Sequence, residues 1–282
     1  MKFLRYGPQG SEKPGCLAGD GSIRDISQLI SDIDVAAFAS GSLAAISQGD
    51  VDGCPEVAGD PRIAACVAHT GNFIAVGLNY VQHAVETSSP IPQEPILFNK
   101  ASSCICGPND AVIQPKGSTK LDWEVELAFV MGKTASYVSE QDALGCIFGY
   151  MICNDVSERA FQIERGGQWM KGKCCPTFGP LGPWLVTSDE VGDPQNLKLW
   201  LDVNGERVQD SNTDDMIFSI AKIVSYTSQF MTLEPGDIIT TGTPQGVGLG
   251  MSPNRFLNPG DTMHLGIEKL GEQKQVVVAH EA

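Results

Sequence analysis

The stretch 121-LDWEVELAFV-130 places an acidic residue on every second position among apolar ones. Successive side chains of a β-strand point to opposite faces, so the odd-numbered positions form an apolar face. Asp122, Glu124 and Glu126 then lie together on the other face, where like charges repel unless solvent or a cation neutralises them. The stretch therefore predicts a strand and leaves two interpretations open, a solvated face and a cation site.

From residue 72 onward, short apolar runs alternate with Gly, Pro, Asn and Asp, which is typical of strands joined by turns. The Asn-Gly pair at 204–205 predicts a hairpin between two such runs. Helical patterns are fewer, at SEQDALGC, VSERAFQIERG and SIAKIVSYTSQF, and Ser139 and Asp142 have the spacing of a capping box. Many strands and few helices predict a β-rich α+β fold, rolled or barrel-like, rather than alternating βαβ units.

The sequence pattern of about the first 65 residues differs from that of the rest of the chain. Short β-like pieces precede a helical pattern at DVAAFASGSLAAIS, and GCPEVAGDPR then reads as a linker. No cluster of catalytic residue types falls in this segment. We therefore predict a small N-terminal domain over residues 1–65, used for packing or dimerisation, and a catalytic domain over residues 72–282.

Composition excludes several classes of function. The chain of 282 residues has a net charge of −15, which argues against a nucleic-acid partner bound through a basic face. It has no apolar run of eighteen residues, and MKFLRYGPQG lacks the apolar core of a secretory signal, so neither membrane association nor export is expected. The cysteine count of nine is odd, without CxxC spacing, which predicts reduced thiols in a cytoplasmic protein rather than disulfides or structural zinc.

A third carboxylate can join the acidic strand. Asp155 ends the apolar run IFGYMICND, where a strand is expected to give way to a helix. Side chains at strand ends reach into clefts, so Asp155 could complete a set with Glu124 and Glu126. Ligands that are all oxygen favour Mg²⁺ or Mn²⁺, with water and substrate in the remaining positions.

Three further features carry possible chemistry. His83 and Glu86 share one face of a helical turn, where the carboxylate would make the imidazole a better general base. An ordinary His–Glu pair on the surface would have the same spacing in the sequence. Lys171 and Lys173, in a Gly- and Pro-rich segment, could stabilise developing negative charge or be solvated. The glycine-rich stretch 240–250 lacks a Walker lysine, and its amides with the Thr243 hydroxyl predict a small nest for a carboxylate.

These segments occur in a familiar order. GLNYVQHAVE, WEVELAFV, NDVSERAFQ, KGKCCPTFGPLGP and TTGTPQGVG together resemble the fumarylacetoacetate hydrolase family from about residue 72 to the C-terminus. The resemblance implies a mixed β-roll catalytic core, a homodimer, and Mg²⁺ or Mn²⁺ at the mouth of the core. It also implies a small-molecule substrate, a 2,4-diketo acid, an acylpyruvate or a related 2-oxo acid.

The same resemblance implies roles for nine residues. It places the metal on Glu124, Glu126 and Asp155, the water-activating pair on His83 and Glu86, the active-site lysine on Lys173 rather than Lys171, and substrate contacts on Arg159, Gln162 and Thr243. One departure lies beside the lysine, because many relatives have Asp-Thr-Phe where this chain has Pro176-Thr177-Phe178. The geometry of that loop is therefore left open.

The expected function is metal-dependent hydrolysis of a C–C bond in a 2,4-diketo acid. Residues 167–218 are most similar to the bacterial branch that cleaves 2,4-diketo-3-deoxy acids from L-rhamnonate or L-fuconate into pyruvate and lactate. The alternatives on the same scaffold are acylpyruvate hydrolysis, oxaloacetate-type decarboxylation, and isomerisation or hydration of a dienoate. A non-catalytic binding protein is a third class, but three protein ligands would leave a metal with open positions, unlike a closed structural site.

Overall fold

The computed structural model describes residues 1–281, which form many short strands and a few short helices. The strands are β1 Lys2–Tyr6, β2 Lys13–Leu17, β3 Ile23–Asp25, β4 Ile63–Ala64, β5 Phe73–Gly77, β6 Ile96–Lys100, β7 Ile105–Cys106, β8 Val112–Gln114, β9 Leu121–Asp122, β10 Val125–Met131, β11 Ile147–Asn154, β12 Ser157–Glu158, β13 Gly179–Thr187, β14 Lys198–Val203, β15 Glu206–Asn212, β16 Ile238–Thr240, β17 Thr262–Ile267 and β18 Gly271–Ala279. The helices are α1 Val35–Ala39, α2 Gln48–Asp52, α3 Val81–Glu86, α4 Glu140–Ala143, α5 Arg159–Ile163, α6 Met170–Lys173, α7 Ser188–Val191 and α8 Ile220–Thr227.

Most strands belong to two mixed sheets. The larger sheet has the order β3-β2-β1-β13-β11-β10-β16-β5-β6, with β4 on β1 and β7 on β13, and the smaller has the order β15-β14-β17-β18-β8. The β16–β5, β13–β7 and β18–β8 pairs are parallel and the others are antiparallel. The larger sheet starts at β3 and ends at β6, so it is open within residues 1–281. The prediction of a β-rich α+β fold is confirmed, in the form of open sheets rather than a closed barrel.

Strand β10 lies at the centre of the larger sheet, and every one of its side chains is buried. It pairs with β11 on one side, where Val125 lies opposite Asn154, and with β16 on the other, where Ala128 lies opposite Thr240. The antiparallel register brings the start of β10 beside the end of β11. Asp155, the residue after β11, is therefore adjacent to the first residues of β10.

The strand predicted across residues 121–130 is interrupted in the structure. β9 ends at Asp122 and β10 begins at Val125. In the gap, the Glu124 backbone N–H donates to the side chain of Asn154 (3.1 Å), and the Val125 N–H donates to the side chain of Gln209 (3.0 Å). Side-chain acceptors thus replace sheet partners at this point. The regular alternation of the three acids is lost, and Asp122 turns to a different partner from the other two.

Residues with positive φ confirm one predicted turn and end one predicted helix early. Asn204 and Gly205 have φ of +54° and +81°, as the predicted hairpin between β14 and β15 requires. The helix predicted over residues 34–47 ends at Ala39, because Gly41 adopts a φ of +72° just beyond its C-terminus. No helix within residues 1–281 has the length and apolar character needed to cross a bilayer.

The first strands pack with the rest of the chain. β1 pairs with β13, with Phe3 opposite Leu185, and both side chains belong to the same hydrophobic core. The N-terminal segment thus contributes to the sheet that contains β10. The division into a domain at 1–65 and a domain at 72–282 stays a prediction. All nine cysteines are free thiols.

Candidate metal centre and active site

Three carboxylates converge where β10 begins and β11 ends. Glu124, Glu126 and Asp155, hereafter the acid triad, each offer an oxygen within 4.8 Å of the others. These residues are only 4%, 1% and 1% exposed. Of the two interpretations of the acidic strand, the solvated face is therefore wrong. A buried, all-oxygen group of this kind could hold a divalent cation.

Two cations neutralise part of this charge. The Lys173 ammonium lies 2.6 Å from Glu124 Oε2 and 2.8 Å from Asp155 Oδ2. Arg159 Nη2 lies 2.7 Å from Glu124 Oε1 as an ion contact without hydrogen-bond geometry, while its Nε donates to Asp122 Oδ2 at 2.8 Å. Asp122 therefore orients the guanidinium and stands apart from the acid triad.

A third cation was not anticipated from the sequence. Lys100, the last residue of β6, donates to Asp155 Oδ1 and to the backbone carbonyl of Lys173, both at 2.5 Å. Burial would lower the pKa of Lys100, but the charge of Asp155 raises it, so the side chain stays an ammonium. The only sequence signal was a lysine shortly after the apolar run 96-ILF-98, which by itself does not identify a partner.

The charges of this cluster do not cancel. The acid triad and Asp122 contribute four negative charges, against three positive charges from the two lysines and the arginine. Burial would raise the pKa of Glu124, but the charges of Lys173 and Arg159 hold it well below its ordinary value. Burial, and then the charges of Asp155 and Glu124, raise the pKa of Glu126 well above its ordinary value. Glu126 is thus the member of the acid triad whose negative charge is least compensated, and its surroundings favour the neutral form.

The residues present fit a hard divalent cation. Glu126 accepts from the Thr240 hydroxyl and the Gly242 N–H on the same oxygen, Oε2, which leaves Oε1 as the oxygen available to a ligand. With all four carboxylates ionised, a bound dication would bring the net charge of the cluster to +1. That charge matches a substrate carrying one carboxylate, and the donor set suits Mg²⁺ or Mn²⁺.

His83, which is buried, and Glu86, which is partly exposed, form a pair on α3. His83 Nδ1 lies 2.8 Å from Glu86 Oε1, and Glu86 Oε2 accepts the Gly246 N–H at 2.9 Å. The carboxylate is therefore held from both sides, and the imidazole keeps Nε2 for another partner. The predicted contact between these two residues is present in the structure.

The stretch 240–250 binds anions, but they are the chain's own carboxylates. Gly242 N–H donates to Glu126 and Gly246 N–H donates to Glu86, while two further amides of the stretch donate to Asp122. Backbone N–H groups arranged in this way form an anion nest. The nest thus ties the acid triad, the histidine's partner and the arginine's partner to one loop.

The Thr243 hydroxyl is also engaged within the scaffold. It donates to the Val125 carbonyl and accepts from the side chain of Gln209, each at 2.9 Å. Thr243 nevertheless lines the same cavity as Glu124 and Glu126. Its contact with a substrate carboxylate stays a prediction.

Most of the predicted site residues surround one cavity of about 120 Å³. Those that line it are His83, Glu124, Glu126, Arg159, Gln162, Lys173 and Thr243. Glu86 and Asp155 lie behind this surface, in contact with His83 and Lys173. Lys171 is exposed and donates to the Arg165 carbonyl, so Lys173 is the lysine that reaches the carboxylates.

The segment that departs from the family pattern is anchored. Thr177 has a φ of +67°, and its hydroxyl oxygen accepts the Ile113 N–H at 2.8 Å. The next residue, Phe178, is completely buried. The loop after Lys173 is therefore held by a hydrogen bond and a core side chain, with Pro176 preceding them.

Fold and site together define a β-rich enzyme class with a buried carboxylate centre. The model of the fumarylacetoacetate (FAA) hydrolase C-terminal family matches residues 72–278. This covers well over half of the chain, and the protein belongs to that family. The resemblance in sequence motifs is thereby confirmed at the level of the family.

Individual relatives span the whole chain. A protein of Burkholderia lata, named only as a presumed hydrolase, is 55% identical over 98% of both chains. The 2-hydroxyhepta-2,4-diene-1,7-dioate isomerase of Mycobacterium marinum is 31% identical with a TM-score of 0.75, covering 100% of both chains. The maleylpyruvate hydrolase of Sphingobium sp. SYK-6, solved with manganese(II) and pyruvate, is 29% identical with a TM-score of 0.82, also over 100% of both chains. Hydrolases and isomerases thus share this fold.

Proposed function

We propose that this protein is a divalent-metal-dependent hydrolase that cleaves a C–C bond in a 2,4-diketo acid. The observation that carries the proposal is the His83–Glu86 pair, held at 2.8 Å, with His83 lining the same cavity as Glu124 and Glu126 of the acid triad. Hydrolysis needs an activated water, whereas decarboxylation of a 2-oxo acid needs mainly an electrophile. The manganese and pyruvate in the related Sphingobium hydrolase support a 2-oxo acid as the substrate.

The acid triad would hold Mg²⁺ or Mn²⁺, which when bound acts as a Lewis acid on the oxygens of the 2-oxo acid. His83 Nε2 accepts a proton from water, because Nδ1 faces Glu86. The water oxygen bonds to C4, the C3–C4 bond breaks, and C3 takes up a proton to give pyruvate. Lys173 stabilises the negative charge that develops on the C4 oxygen.

The remaining predicted residues bind the substrate. Arg159 Nη1 donates to Gln162 Oε1 at 3.1 Å, and both side chains line the cavity. Their positions support contacts with the substrate carboxylate or keto oxygens, together with Thr243. Burial of the guanidinium and the amide strengthens such contacts, since little water competes for them.

Within this class we favour a 2,4-diketo-3-deoxy sugar acid that yields pyruvate and a hydroxy acid such as lactate, on the resemblance of residues 167–218. We also propose a cytoplasmic homodimer, in which the nine free thiols stay reduced. Light scattering of the purified protein tests the dimer directly. A monomeric mass would contradict that part of the proposal and leave the reaction untouched.

Three other reactions on this scaffold compete with the proposal. They are acylpyruvate hydrolysis, oxaloacetate-type decarboxylation, and isomerisation or hydration of a dienoate. Dienoate isomerisation is the strongest competitor, because a matched structural relative is named for that reaction. Acylpyruvate hydrolysis differs from the proposed reaction only in the group beyond C4.

The decisive experiment offers the purified protein a panel of 2,4-diketo acids, oxaloacetate and a hydroxydienoate, each with Mg²⁺ or Mn²⁺. Pyruvate release is followed by a coupled NADH assay, CO₂ by trapping, and isomerisation by ultraviolet absorbance. We expect pyruvate release from at least one diketo acid, its loss on chelation, and its return with added metal. A rate unchanged by chelation, or turnover of the dienoate alone, would overturn the proposal.

A further inference from the structure

The cavity lining combines two chemically unlike sets of side chains. Glu124, Glu126, Lys173 and Arg159 form a charged set, and the other set is apolar. The apolar wall, as we call it, consists of Val76, Leu78, Phe98, Ile163 and Trp169. A substrate that places its 2-oxo acid group beside the charged set must place the group beyond C4 elsewhere in the cavity.

The apolar wall continues directly from the catalytic lysine. The Lys173 ammonium lies 5.4 Å from the centre of the Phe98 ring. Phe98 packs edge-on against Trp169, with the ring centres 5.4 Å apart and an interplanar angle of 69°. The substrate atom that Lys173 contacts is therefore next to aromatic carbon.

Gly77, at the end of β5, allows the tryptophan to complete this wall. A Cβ at Gly77 would lie only 2.3 Å from Trp169 Cζ3, so the indole packs against bare backbone. The indole thus packs against the backbone at the end of the strand. Its position depends on the absence of a side chain at residue 77.

The cations near the cavity are already engaged. Arg159 and Lys173 contact carboxylates of the chain, as described above. Lys171 donates to the Arg165 carbonyl, and the Arg165 guanidinium stacks on Phe161 at 4.1 Å. Among the cavity-lining residues that the structure describes, none offers a further positive charge to the apolar wall. A second carboxylate on the substrate would be desolvated there without a partner.

We propose that the site selects 2,4-diketo acids whose group beyond C4 is small and uncharged, and discriminates against those that end in a second carboxylate. This rests on the proposed function and goes beyond it, because it assigns substrate choice to the apolar wall. Hydroxyl groups are compatible with the site, since Thr87 and Ser89 also line the cavity. The selection sets this protein apart from enzymes that act on dicarboxylates such as heptadienedioates.

A matched pair of substrates tests the inference. 2,4-Dioxoheptanoate and 2,4-dioxoheptanedioate have the same carbon chain, differ in one terminal carboxylate, and both release pyruvate on hydrolysis. With Mn²⁺ present, we expect kcat/KM to be at least about 100-fold higher for the monoacid, because an unpaired buried carboxylate is strongly disfavoured. Equal or faster turnover of the diacid would overturn the inference.

A charge placed at the rim gives the second test. Ile163 is 50% exposed at the edge of the apolar wall, so a longer side chain can be accommodated there. Ile163→Lys should raise relative activity on the diacid by about 10-fold, whereas the neutral Ile163→Met should leave the selectivity unchanged. No change of selectivity in Ile163→Lys would contradict the assignment to this wall.

Failure of the proposed reaction can be told apart from failure of this inference. If neither these compounds nor any other diketo acid of the panel releases pyruvate, the hydrolase proposal fails, and the affinities of the two acids for the Mn²⁺-loaded protein are then measured by calorimetry. The apolar wall predicts tighter binding of the monoacid by the same factor. Equal affinities for the two acids would overturn the inference on substrate selection, whichever reaction the protein catalyses.

Discussion

The Lys100 ammonium lies 2.5 Å from Asp155 Oδ1, and both side chains are almost completely buried. The same ammonium donates to the carbonyl oxygen of Lys173. One cation from β6 therefore holds a carboxylate of the acid triad and the backbone of Lys173 in one arrangement. A buried pair of this kind is sensitive to the loss of either partner, since the remaining charge is left without compensation.

Lys100→Met should destabilise the metal-free protein, because it leaves Asp155 with less positive charge around it. We expect the free energy of unfolding to fall by about 3–5 kcal/mol. Added Mn²⁺ should restore more stability to this variant than to the native protein, since a dication replaces the missing charge. Urea unfolding with and without Mn²⁺ measures both effects. Lys100→Arg is the charge-preserving control, and its free energy of unfolding should fall less. A fall of under about 1 kcal/mol in Lys100→Met would refute the role of Lys100 in compensating Asp155.

Removal of one ligand from the acid triad should weaken metal binding. Glu124→Gln keeps the size of the side chain and loses its charge, so we expect the affinity for Mn²⁺ to fall more than about 100-fold and hydrolysis to disappear. Calorimetric titration of the apo-protein with Mn²⁺ measures the affinity. Glu164→Gln, which changes an exposed carboxylate paired with Lys120, is the matched control. Unchanged affinity in Glu124→Gln would remove this residue from the metal site.

Metal binding itself should stabilise the fold, because a dication held by the folded acid triad compensates the charge that Glu126 carries when it is ionised. At a concentration 100 times the dissociation constant, the expected gain is about 2.7 kcal/mol. Thermal unfolding at increasing Mn²⁺ and Mg²⁺ concentrations gives the dependence. The melting temperature of Glu126→Gln should respond much less to metal. An equal response in the two proteins would place the metal elsewhere.

The histidine should be needed for the reaction and not for the metal. His83→Ala removes the base that accepts the proton from water, so kcat should fall by about 10²- to 10⁴-fold. Mn²⁺ affinity should stay within about threefold of the native value, because the imidazole is not part of the acid triad. The two readouts separate a catalytic role from a structural one. Full hydrolysis by this variant would end the assignment of water activation to His83.

A side chain at Gly250 should lower the rate of the reaction by displacing Glu86. A Cβ at Gly250 would lie 2.5 Å from Glu86 Cδ, so Gly250→Ala must displace the carboxylate that orients His83. We expect kcat to fall by about 10- to 100-fold with Mn²⁺ affinity unchanged. Gly145→Ala is the control, since nothing lies within 4 Å of the added carbon. If Gly250→Ala kept full kcat, the orientation of His83 would not depend on this contact.

Much of the local structure could be predicted from the sequence. The hairpin at Asn204–Gly205 follows from residues that accept a positive φ, and the predicted cap at Ser139 accepts the Asp142 N–H. The strands were visible as apolar runs between turn residues, because a pleated, buried strand selects such residues. The break at Trp123–Glu124 was not visible, since it depends on side-chain acceptors from Asn154 and Gln209, distant in sequence.

The sequence by itself determined which residues could carry chemistry and which short segments are strands, because these properties depend on residue type and near neighbours. Only the tertiary structure decided how the charges are partnered. Lys100 is 55 residues from Asp155, and Glu86 is 160 residues from the Gly246 amide that holds it. Such contacts depend on the order and register of the whole sheet. The carboxylates can therefore be recognised from the local sequence pattern. The cations and backbone amides that stabilise them come together only when the chain folds.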